Sequence, residues 1–280
     1  MRGKHSVSTT PRMHTSLWKV DKPPNRETIP RGALMLNITA RQDLMRTIVE
    51  TLSVVVEEAR LDFSENGLGV RVVDPSHVAM IKMDVDSAAF DTWEVDETKL
   101  GLEMRKLKEM VNLAGSGDVV NLTYDEVSGQ ATVNIGRIDL NIRPLDNSTL
   151  NPPNVPSLEL PCGVTIAGSD LGQALRAARQ VGDLVNISLT DSSFEVNVQG
   201  STDSVNVEFS KDELVSIDCK EATSSQYSLT YLIPMTKIFA TVEHVNLRFG
   251  ENYPLRLTFE FADGAGHVEY FLAPRVEGDF

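Results

Sequence analysis

The chain has 280 residues, 41% of them hydrophobic, which is enough for one large domain or two of ordinary size. No apolar run approaches the roughly 18–20 residues that a membrane-spanning helix needs, and residues 1–32 lack the continuous apolar segment of a secretory signal. The 26 basic and 40 acidic residues give a net charge of −14, which argues against a protein coated with nucleic acid. We therefore expect a soluble chain that is not secreted.

Charge is unevenly distributed along the chain. Residues 1–32 hold seven basic and two acidic residues, a net +5, whereas the remaining 19 basic and 38 acidic residues give −19. The first segment also has four prolines and no hydrophobic period, so we predict a disordered basic extension over residues 1–33. Two interpretations stay open: the natural start codon lies near Met35, or the extension is expressed as a basic arm.

Only two cysteines occur, Cys162 and Cys219. One pair in so long a chain is no disulfide framework, so we expect two reduced thiols and a reducing interior.

From Met35 onward, apolar residues mostly alternate with polar ones, which is typical of half-buried β-strands. Many of these segments end at turn-forming residues such as Asn66-Gly67. The predicted strands are residues 35–40, 60–63, 69–73, 78–85, 119–124, 132–135, 138–142, 184–189, 194–198, 205–209, 245–249, 255–261 and 267–272.

Four segments have helical spacing instead. The fourth is short, runs from about residue 233 to 239, and tolerates Pro234 only in its first turn. The apolar positions of the other three are Leu44, Ile48 and Leu52, then Met104, Leu107, Val111 and Ala114, then Leu171, Ala174, Leu175 and Ala178.

Residues 146–161 contain four prolines and predict an extended surface connector between two halves. The halves echo each other, since Ile38-Thr39-Ala40 before a helix mirrors Ile166-Ala167-Gly168, and Val120-Asn121-Leu122 recurs as Val245-Asn246-Leu247. This predicts an internal duplication. The expected organisation is a domain over residues 34–145, the connector, a second domain over 162–277 and a tail over 278–280.

Two motifs carry a resemblance to a known family. Asp74-Pro75-Ser76-His77-Val78 is similar to the D-x-S-H-V turn of the archaeal and eukaryotic proliferating cell nuclear antigen family, and residues 270–276 (YFLAPRV) are similar to its Y-x-L-A-P-[KR]-[IV] ending. The resemblance runs over about residues 34–277, and nothing before residue 33 has a counterpart. It implies an α+β fold of two similar clamp domains, with outer antiparallel sheets and with helices lining the central hole of a trimeric ring.

The resemblance also implies a function. Such a protein is a DNA sliding clamp, a processivity factor without enzymatic activity that encircles duplex DNA as a homotrimer. Its expected partners are double-stranded DNA and, through short peptide motifs, DNA polymerase, the clamp loader, flap endonuclease and ligase, as in DNA replication and repair. No cofactor and no membrane are expected, and the location would be cytoplasmic in an archaeon and nuclear in a eukaryote. The alternative is a subunit of a checkpoint-type hetero-trimeric clamp.

Basic residues on the four predicted helices are the candidate DNA contacts, although each alone could be an ordinary solvated residue. Arg176 and Lys237 match positions that the family uses to touch DNA, and helix facing adds Arg46, Arg105, Lys106, Lys108 and Arg179. The sequence also departs from a uniformly basic surface. Glu50 and Glu109 lie on or near the same helix faces, and Thr230 replaces a basic residue found in some members. We therefore expect weak, salt-dependent contact with phosphates.

Ring closure would use two edge strands according to the family's plan. The candidate interface residues are Ile138, Leu140 and Ile142 on one strand and Val205, Val207 and Phe209 on the other. The alternative is that both are ordinary interior strands.

Partner peptides would bind an apolar pocket beneath the connector. The matching positions are Val73, Ser76, His77, Val78, Met80, Val155, Pro156, Pro254, Phe271, Ala273, Pro274, Arg275 and Val276. Individually, Val78 and Phe271 would more often be plain core, and His77 a buried, hydrogen-bonded imidazole. Phe271 lacks the hydroxyl of the tyrosine found in some members, and Pro153 stands where a leucine often lies.

An enzyme is the main alternative class. The five histidines, His5, His14, His77, His244 and His267, have no metal-ligand spacing, and no P-loop, dinucleotide or nucleophile-elbow motif is present. The glycine-rich residues 114–117 follow a predicted helix and suit a C-cap rather than a phosphate site. These features favour a protein that is not an enzyme.

Overall fold

The computed structural model describes residues 34–275, so the predicted N-terminal extension, Val276 and the C-terminal tail lie outside the described residues. Elements of the first half are β1 (Leu34–Arg41), α1 (Gln42–Leu52), β2 (Glu58–Ser64), β3 (Gly67–Val73), β4 (Ala79–Asp86), β5 (Thr92–Val95), β6 (Thr98–Glu103), α2 (Met104–Val111), β7 (Val119–Asp125), β8 (Gln130–Ile135) and β9 (Ile138–Ile142).

The second half follows the connector. Its elements are β10 (Cys162–Ala167), α3 (Gly168–Arg179), β11 (Leu184–Leu189), β12 (Ser193–Gln199), β13 (Ser204–Ser210), β14 (Ser216–Asp218), β15 (Thr223–Ser228), α4 (Leu229–Leu232), α5 (Thr236–Phe239), β16 (His244–Phe249), β17 (Leu255–Phe261) and β18 (Gly266–Leu272).

The two halves share one strand topology. The order β5-β1-β7-β8-β9 in the first half corresponds to β14-β10-β16-β17-β18 in the second, and β6-β2-β3-β4 corresponds to β15-β11-β12-β13. All these pairings are antiparallel. The predicted duplication is therefore confirmed at the level of topology, although few residues repeat.

One ladder joins the halves. β18 pairs with β4 from Gly266↔Val85 to Leu272↔Ala79 and makes a nine-stranded sheet, β14-β10-β16-β17-β18-β4-β3-β2-β6. The counterparts of β18 and β4 under the duplication are β9 and β13. Within the described chain, each of these two is the outermost strand of its sheet, so they are edges rather than interior strands.

The helices form a layer against the sheets, with apolar sides buried and polar sides exposed. α1 packs against α2, α3 packs against α4 and α5, and α1 also contacts α5, which gives the order α2, α1, α5, α3. No helix in residues 34–275 combines the length and apolar character needed to cross a membrane.

The fourth helical segment begins earlier than predicted. It starts at Leu229 rather than near residue 233, and Pro234 lies in a 3-10 turn, Ile233–Met235, between α4 and α5. The prediction that Pro234 sits in the first turn of the helix was therefore wrong. Proline lacks an N–H and clashes with the preceding turn, so the α-helical hydrogen bonding is interrupted there.

Five strands escaped the sequence pattern: β5, β6, β10, β14 and β15. β14 has only three residues, and β15 reads TSSQYS, with serine at one of its two buried positions. β10 is buried on both faces over its first three residues, so it does not alternate. Period-two alternation detects strands with one long apolar face, which the short β14 and the polar β15 lack. β6 does have such a face, with Leu100 and Leu102 buried, and was overlooked.

The prediction of two reduced thiols was also wrong, because Cys162 and Cys219 form a disulfide. β10 pairs with β14 as Gly163↔Asp218, which brings the two Cα atoms to 4.5 Å. The cysteines are 57 residues apart in sequence, and the strand that precedes Cys219 was not predicted. Their proximity follows from tertiary structure alone.

The turn between β3 and β4 is built around one buried carboxylate. Asp74 is 5% exposed and accepts backbone N–H bonds from Ser76 at 2.9 Å and from Val78 and Ala79 at 2.6 Å. The hydroxyl of Tyr231 in α4 also donates to it, at 3.4 Å. Burial, the largest single influence, raises the pKa of Asp74, but the hydrogen bonds together outweigh it and hold the pKa below its ordinary 3.8.

We expect Asp74→Asn to lower the free energy of unfolding by about 1.5–3 kcal/mol, as for other hydrogen bonds to a charged acceptor. The amide has one acceptor oxygen fewer and directs a donor at the backbone N–H groups. Denaturant unfolding at neutral pH measures the loss. The control Asp84→Asn removes the same charge from an exposed ion pair with Lys82 and should cost at most about 1 kcal/mol.

The effect of Asp74 should also depend on pH. Folding lowers this pKa, so the stabilisation is present above pH 3.8 and is lost as the pH falls through the lowered value. The difference between wild type and Asp74→Asn should therefore shrink in acid. Equal losses for the Asp74 and Asp84 variants, or a difference that does not change in acid, would contradict this role.

Candidate functional site

The predicted basic residues lie on the exposed side of the helix layer. Six of the seven DNA-contact candidates are exposed and Lys108 is half-buried. Arg176 lies over Gly172, where a Cβ atom would come within 3.2 Å of Arg176 Nη1 and 3.4 Å of the Thr236 carbonyl oxygen. This contact places Arg176 of α3 beside α5, which carries Lys237. The two residues that match the family's DNA contacts therefore lie on neighbouring helices.

Two of these cations already have acidic partners. Lys106 binds Glu103 at 2.6 Å, and Arg179 binds Asp183. Within residues 34–275, the other five form no ion pair at 4.0 Å or less: Arg46, Arg105, Lys108, Arg176 and Lys237. Acidic residues share these helices, since Glu50 follows Arg46 by four residues in α1 and Glu109 follows Arg105 by four residues in α2. The exposed surface of the helix layer is thus mildly cationic.

The two candidate edge strands expose part of an apolar face. In β9, Ile138 is 43% exposed, and Leu140 and Ile142 are half-buried against the core. In β13, Val205, Val207 and Phe209 are all half-buried, and the Phe209 ring stacks on Phe194 with centroids 6.0 Å apart. Each edge combines unpaired backbone groups with apolar side chains that another strand would cover.

A row of side chains crosses the outer face of the nine-stranded sheet, away from the core. Val73 in β3 pairs with Met80 in β4, and Met80 with Phe271 in β18. The row continues with Arg256 in β17 and Arg248 in β16. Met80 and Phe271 are 8% and 5% exposed, yet neither is part of the contiguous cluster of core residues between the sheets and the helices. The row is thus an apolar patch that turns cationic towards β16.

The connector passes over this face. It starts at β6, where Leu145 N–H donates to the Gly101 carbonyl at 2.8 Å and Asn147 Nδ2 donates to the Lys99 carbonyl at 2.7 Å. Residues 149–153 then lie beside Val73, and residues 154–155 lie over β3 and β4. Residues 158–161 finish beside the two arginines of the row.

Two further segments adjoin the apolar patch. Ala273 N–H donates to the Val78 carbonyl at 2.8 Å, so the chain after β18 is tied to the turn after β3. Pro254 precedes β17, whose first pair is Leu255↔Leu272, and therefore lies next to Ala273. Arg275 N–H donates to the Gln226 carbonyl at 2.8 Å.

Most of the predicted pocket residues therefore come together, and the exceptions are clear. Ser76 and His77 are exposed at the tip of the turn, and His77 has a positive φ of 56°. The expectation of a buried, hydrogen-bonded imidazole was wrong, because a residue at the tip of so tight a turn points into solvent. Val155 lies over Arg71 and Lys82, one step along the strands from Val73 and Met80, and Pro156 is exposed.

Three residues that shape this site were not predicted from the sequence. Asp74 holds the turn, Leu160 of the connector is 5% exposed over the sheet, and Arg256 extends the row beyond Phe271. Asp74 lay within the motif already quoted, so its acceptor role was accessible from the sequence. The position of Arg256 depends on strand register, which the sequence does not give.

No group of three or more His, Cys, Asp or Glu side chains that could hold a metal ion exists within residues 34–275. His244 and His267 both line an open recess on the outer sheet face, together with Glu243, Glu260 and Asp263. This recess is a polar surface of the sheet without a metal-binding arrangement.

Two family models match the chain in sequence. The N-terminal domain of proliferating cell nuclear antigen matches residues 35–137, and its C-terminal domain matches residues 154–275. Similar curated proteins are the DNA polymerase sliding clamps of Methanoregula boonei, 36% identical over 248 residues, and Methanosarcina barkeri, 33% identical over 246 residues. Each match covers 88% of this chain and all of the relative.

Solved structures agree with the fold. The PCNA of A. fulgidus, solved with the C-terminal region of FEN-1 bound, superposes with a TM-score of 0.81 at 29% identity and covers 88% of this chain and all of that one. The PCNA of Thermococcus kodakaraensis has a TM-score of 0.78 at 22% identity over 86% of this chain. Both halves, their strand order and the sequence matches lead to one conclusion. The chain belongs to the proliferating cell nuclear antigen family.

Proposed function

We propose that this chain is a DNA polymerase sliding clamp, a processivity factor without enzymatic activity whose copies close into a ring around duplex DNA. One observation carries the proposal: β4 and β18 pair within the chain, whereas their counterparts β13 and β9 are open edges. Pairing β9 of one copy with β13 of the next would repeat the internal junction. Such a heterologous interface makes a ring when its rotation closes.

The ring is proposed as a homotrimer, as the family resemblance implies. A checkpoint-type hetero-trimeric subunit would need its edges to fit other chains. Here the same junction is already made once inside the chain, and both free edges carry β-branched or aromatic side chains on one face, which favours self-assembly. The archaeal relatives named as sliding clamps support the same choice, and with it a cytoplasmic location.

The helix layer would then face the DNA. The exposed cations of α1, α2, α3 and α5 would meet phosphates without reading sequence, and their small number would make the contact weak and salt-dependent. Weak contact suits a sliding protein, because a closed ring is retained on DNA by its topology.

The apolar patch of Val73, Met80 and Phe271 would receive partner peptides alongside the connector. Its support is the related A. fulgidus PCNA, which was solved with a FEN-1 segment bound. A flap endonuclease is thus the first partner we propose, and polymerase, clamp loader and ligase would use the same patch. An extended peptide could add backbone hydrogen bonds while an apolar side chain fills the pocket.

The inner-surface proposal predicts a charge effect without loss of assembly. The double change Arg176→Glu and Lys237→Glu should weaken DNA contact and reduce polymerase stimulation at low salt, because each reversal replaces phosphate attraction with repulsion. The ring should remain intact, as sedimentation can check. The matched control, Lys99→Glu with Lys220→Glu, changes net charge equally at exposed sites outside the helices and should leave stimulation unchanged. Full stimulation by the helix variant at low salt would count against the inner surface.

The edge-strand proposal predicts loss of the ring on Val207→Asp. A carboxylate buried at a strand-paired seam without a partner costs about 3–5 kcal/mol, so the variant should sediment as a monomer. Asn206→Asp places the same charge on the opposite face of β13, where Asn206 is exposed, and should still assemble. A Val207→Asp variant that still sediments as a trimer would rule out this seam.

The pocket proposal predicts that Phe271→Ala weakens binding of the FEN-1 carboxyl-terminal peptide by about 2 kcal/mol or more, as for an interface anchor. Isothermal titration calorimetry measures this loss. Val268→Ala is the control, since Val268 lies in the same strand, is fully buried and faces the core. It should lower stability and leave peptide affinity unchanged. Similar affinities for both variants would remove Phe271 from the site.

A further inference from the structure

We propose that Arg256 is an anion subsite at the border of the partner pocket, so that peptides preferred by this clamp carry an acidic side chain next to their apolar anchor. The inference rests on the proposed function of the pocket and names the chemistry of the partner that it selects.

Arg256 has no electrostatic partner among the residues that the structure describes. It is half-buried, and no carboxylate within residues 34–275 comes within 4.0 Å of its guanidinium nitrogens. Its Nε atom is buried and forms no hydrogen bond to any described residue. Glu159 of the connector lines the same recess but remains outside that distance. A partly desolvated cation without compensation is costly, and a bound carboxylate would offset the cost.

A second arginine raises the electrostatic free energy at Arg256 further. Arg248 is the direct cross-strand neighbour of Arg256, and like charges placed opposite each other are destabilising. Arg248 is itself held in place, because its Nη2 donates to the Leu160 carbonyl at 2.9 Å and lies 3.5 Å from Asp218. It packs over Gly163, where a Cβ atom would come within 2.9 Å of Arg248 Nη1. Asp218 thus compensates Arg248, and no described carboxylate does the same for Arg256.

The position of Arg256 indicates that an acidic side chain of the bound partner peptide would lie over its guanidinium. Its other cross-strand neighbour is Phe271, the proposed anchor of the pocket. On the far side, connector residues 158–161 and Arg248 enclose an open recess of about 460 Å³. A peptide whose apolar side chain covers Phe271 would bring an adjacent side chain over the guanidinium. A carboxylate there could accept two parallel N–H bonds, which is the geometry that arginine favours.

The acidic charge of the chain would restrict the carboxylate of a bound peptide to the position next to Arg256. Residues 33–280 carry −19, so most of the surface repels an acidic peptide. An acidic residue would be favoured in the pocket where a local cation offsets that repulsion, and Arg256 is the cation next to Phe271 in the row. The favoured peptide therefore has its carboxylate on the β17 side of the anchor.

The test uses the full chain and the carboxyl-terminal peptide of FEN-1. One glutamate is placed in turn at each position flanking the apolar anchor, each with a glutamine counterpart, and affinities are measured by calorimetry. We expect one position at which the glutamate peptide binds about tenfold more tightly, as for a charge-assisted hydrogen bond. Arg256→Gln should abolish this preference and leave the glutamine peptides unaffected. Arg71→Gln removes an exposed arginine from the same sheet face and should retain the preference.

The outcomes separate this inference from the pocket itself. If the peptides bind but glutamate and glutamine never differ, or if the preference survives in Arg256→Gln, the anion subsite is overturned and the pocket stands. If inorganic phosphate binds wild type and no peptide shows a preference, the arginine takes a free anion and the inference is likewise overturned. If no peptide binds at all, the proposed pocket fails first. Unchanged melting temperature and sedimentation of Arg256→Gln exclude a folding defect.

Discussion

The backbone ladder between β4 and β18 is the interaction on which the rest of the structure depends. It joins two halves of equal topology through seven residue pairs. The backbone groups on the outer edges of β4 and β18 are thus hydrogen-bonded within the chain. The duplication supplies a second pair, β9 and β13, and leaves both open. Unpaired N–H and C=O groups on an edge favour pairing with another strand. Because the two edges differ, their pairing is directional, and a directional contact between identical copies gives a ring or a filament. In the proposed ring, each contact between copies would therefore repeat a junction that the chain already makes.

The same ladder also builds the proposed pocket. Met80 and Phe271 face each other across it, so the pocket floor lies at the seam between the two halves. The turn above that floor is held by Asp74 of the first half, which accepts a hydrogen bond from the hydroxyl of Tyr231 in the second half. Tyr270 donates its own hydroxyl to the Tyr231 carbonyl at 3.0 Å, and burial raises the pKa of Tyr270 far above its ordinary value, so it stays a neutral donor. α4 thus links the helix layer to the partner pocket.

Much of this fold could be predicted from sequence, and most of the larger failures share one cause. Most strands with a single apolar face were found, and β9 was predicted with the bounds that the structure gives. The larger failures depended on partners distant in sequence: the polar strand β15, the bond between Cys162 and Cys219, and the register that brings Arg256 beside Phe271. The ion pair of Arg179 with Asp183 was not predicted either, because it joins the last residue of α3 to the loop before β11. The apolar part of the candidate site came from the family motifs, whereas its charged border required the structure.

Charge distribution explains why weak contact would suffice in the proposed ring. An acidic body repels phosphates from the outer sheets, and the exposed cations of the helix layer offer attraction on one side only. Tight binding there would oppose sliding, because each phosphate contact must break before the ring can move. Closure would make high affinity unnecessary, since DNA without a free end could leave only if a β9–β13 seam opened. The stability of the seam, rather than the number of basic residues, should therefore determine how long the clamp remains on DNA.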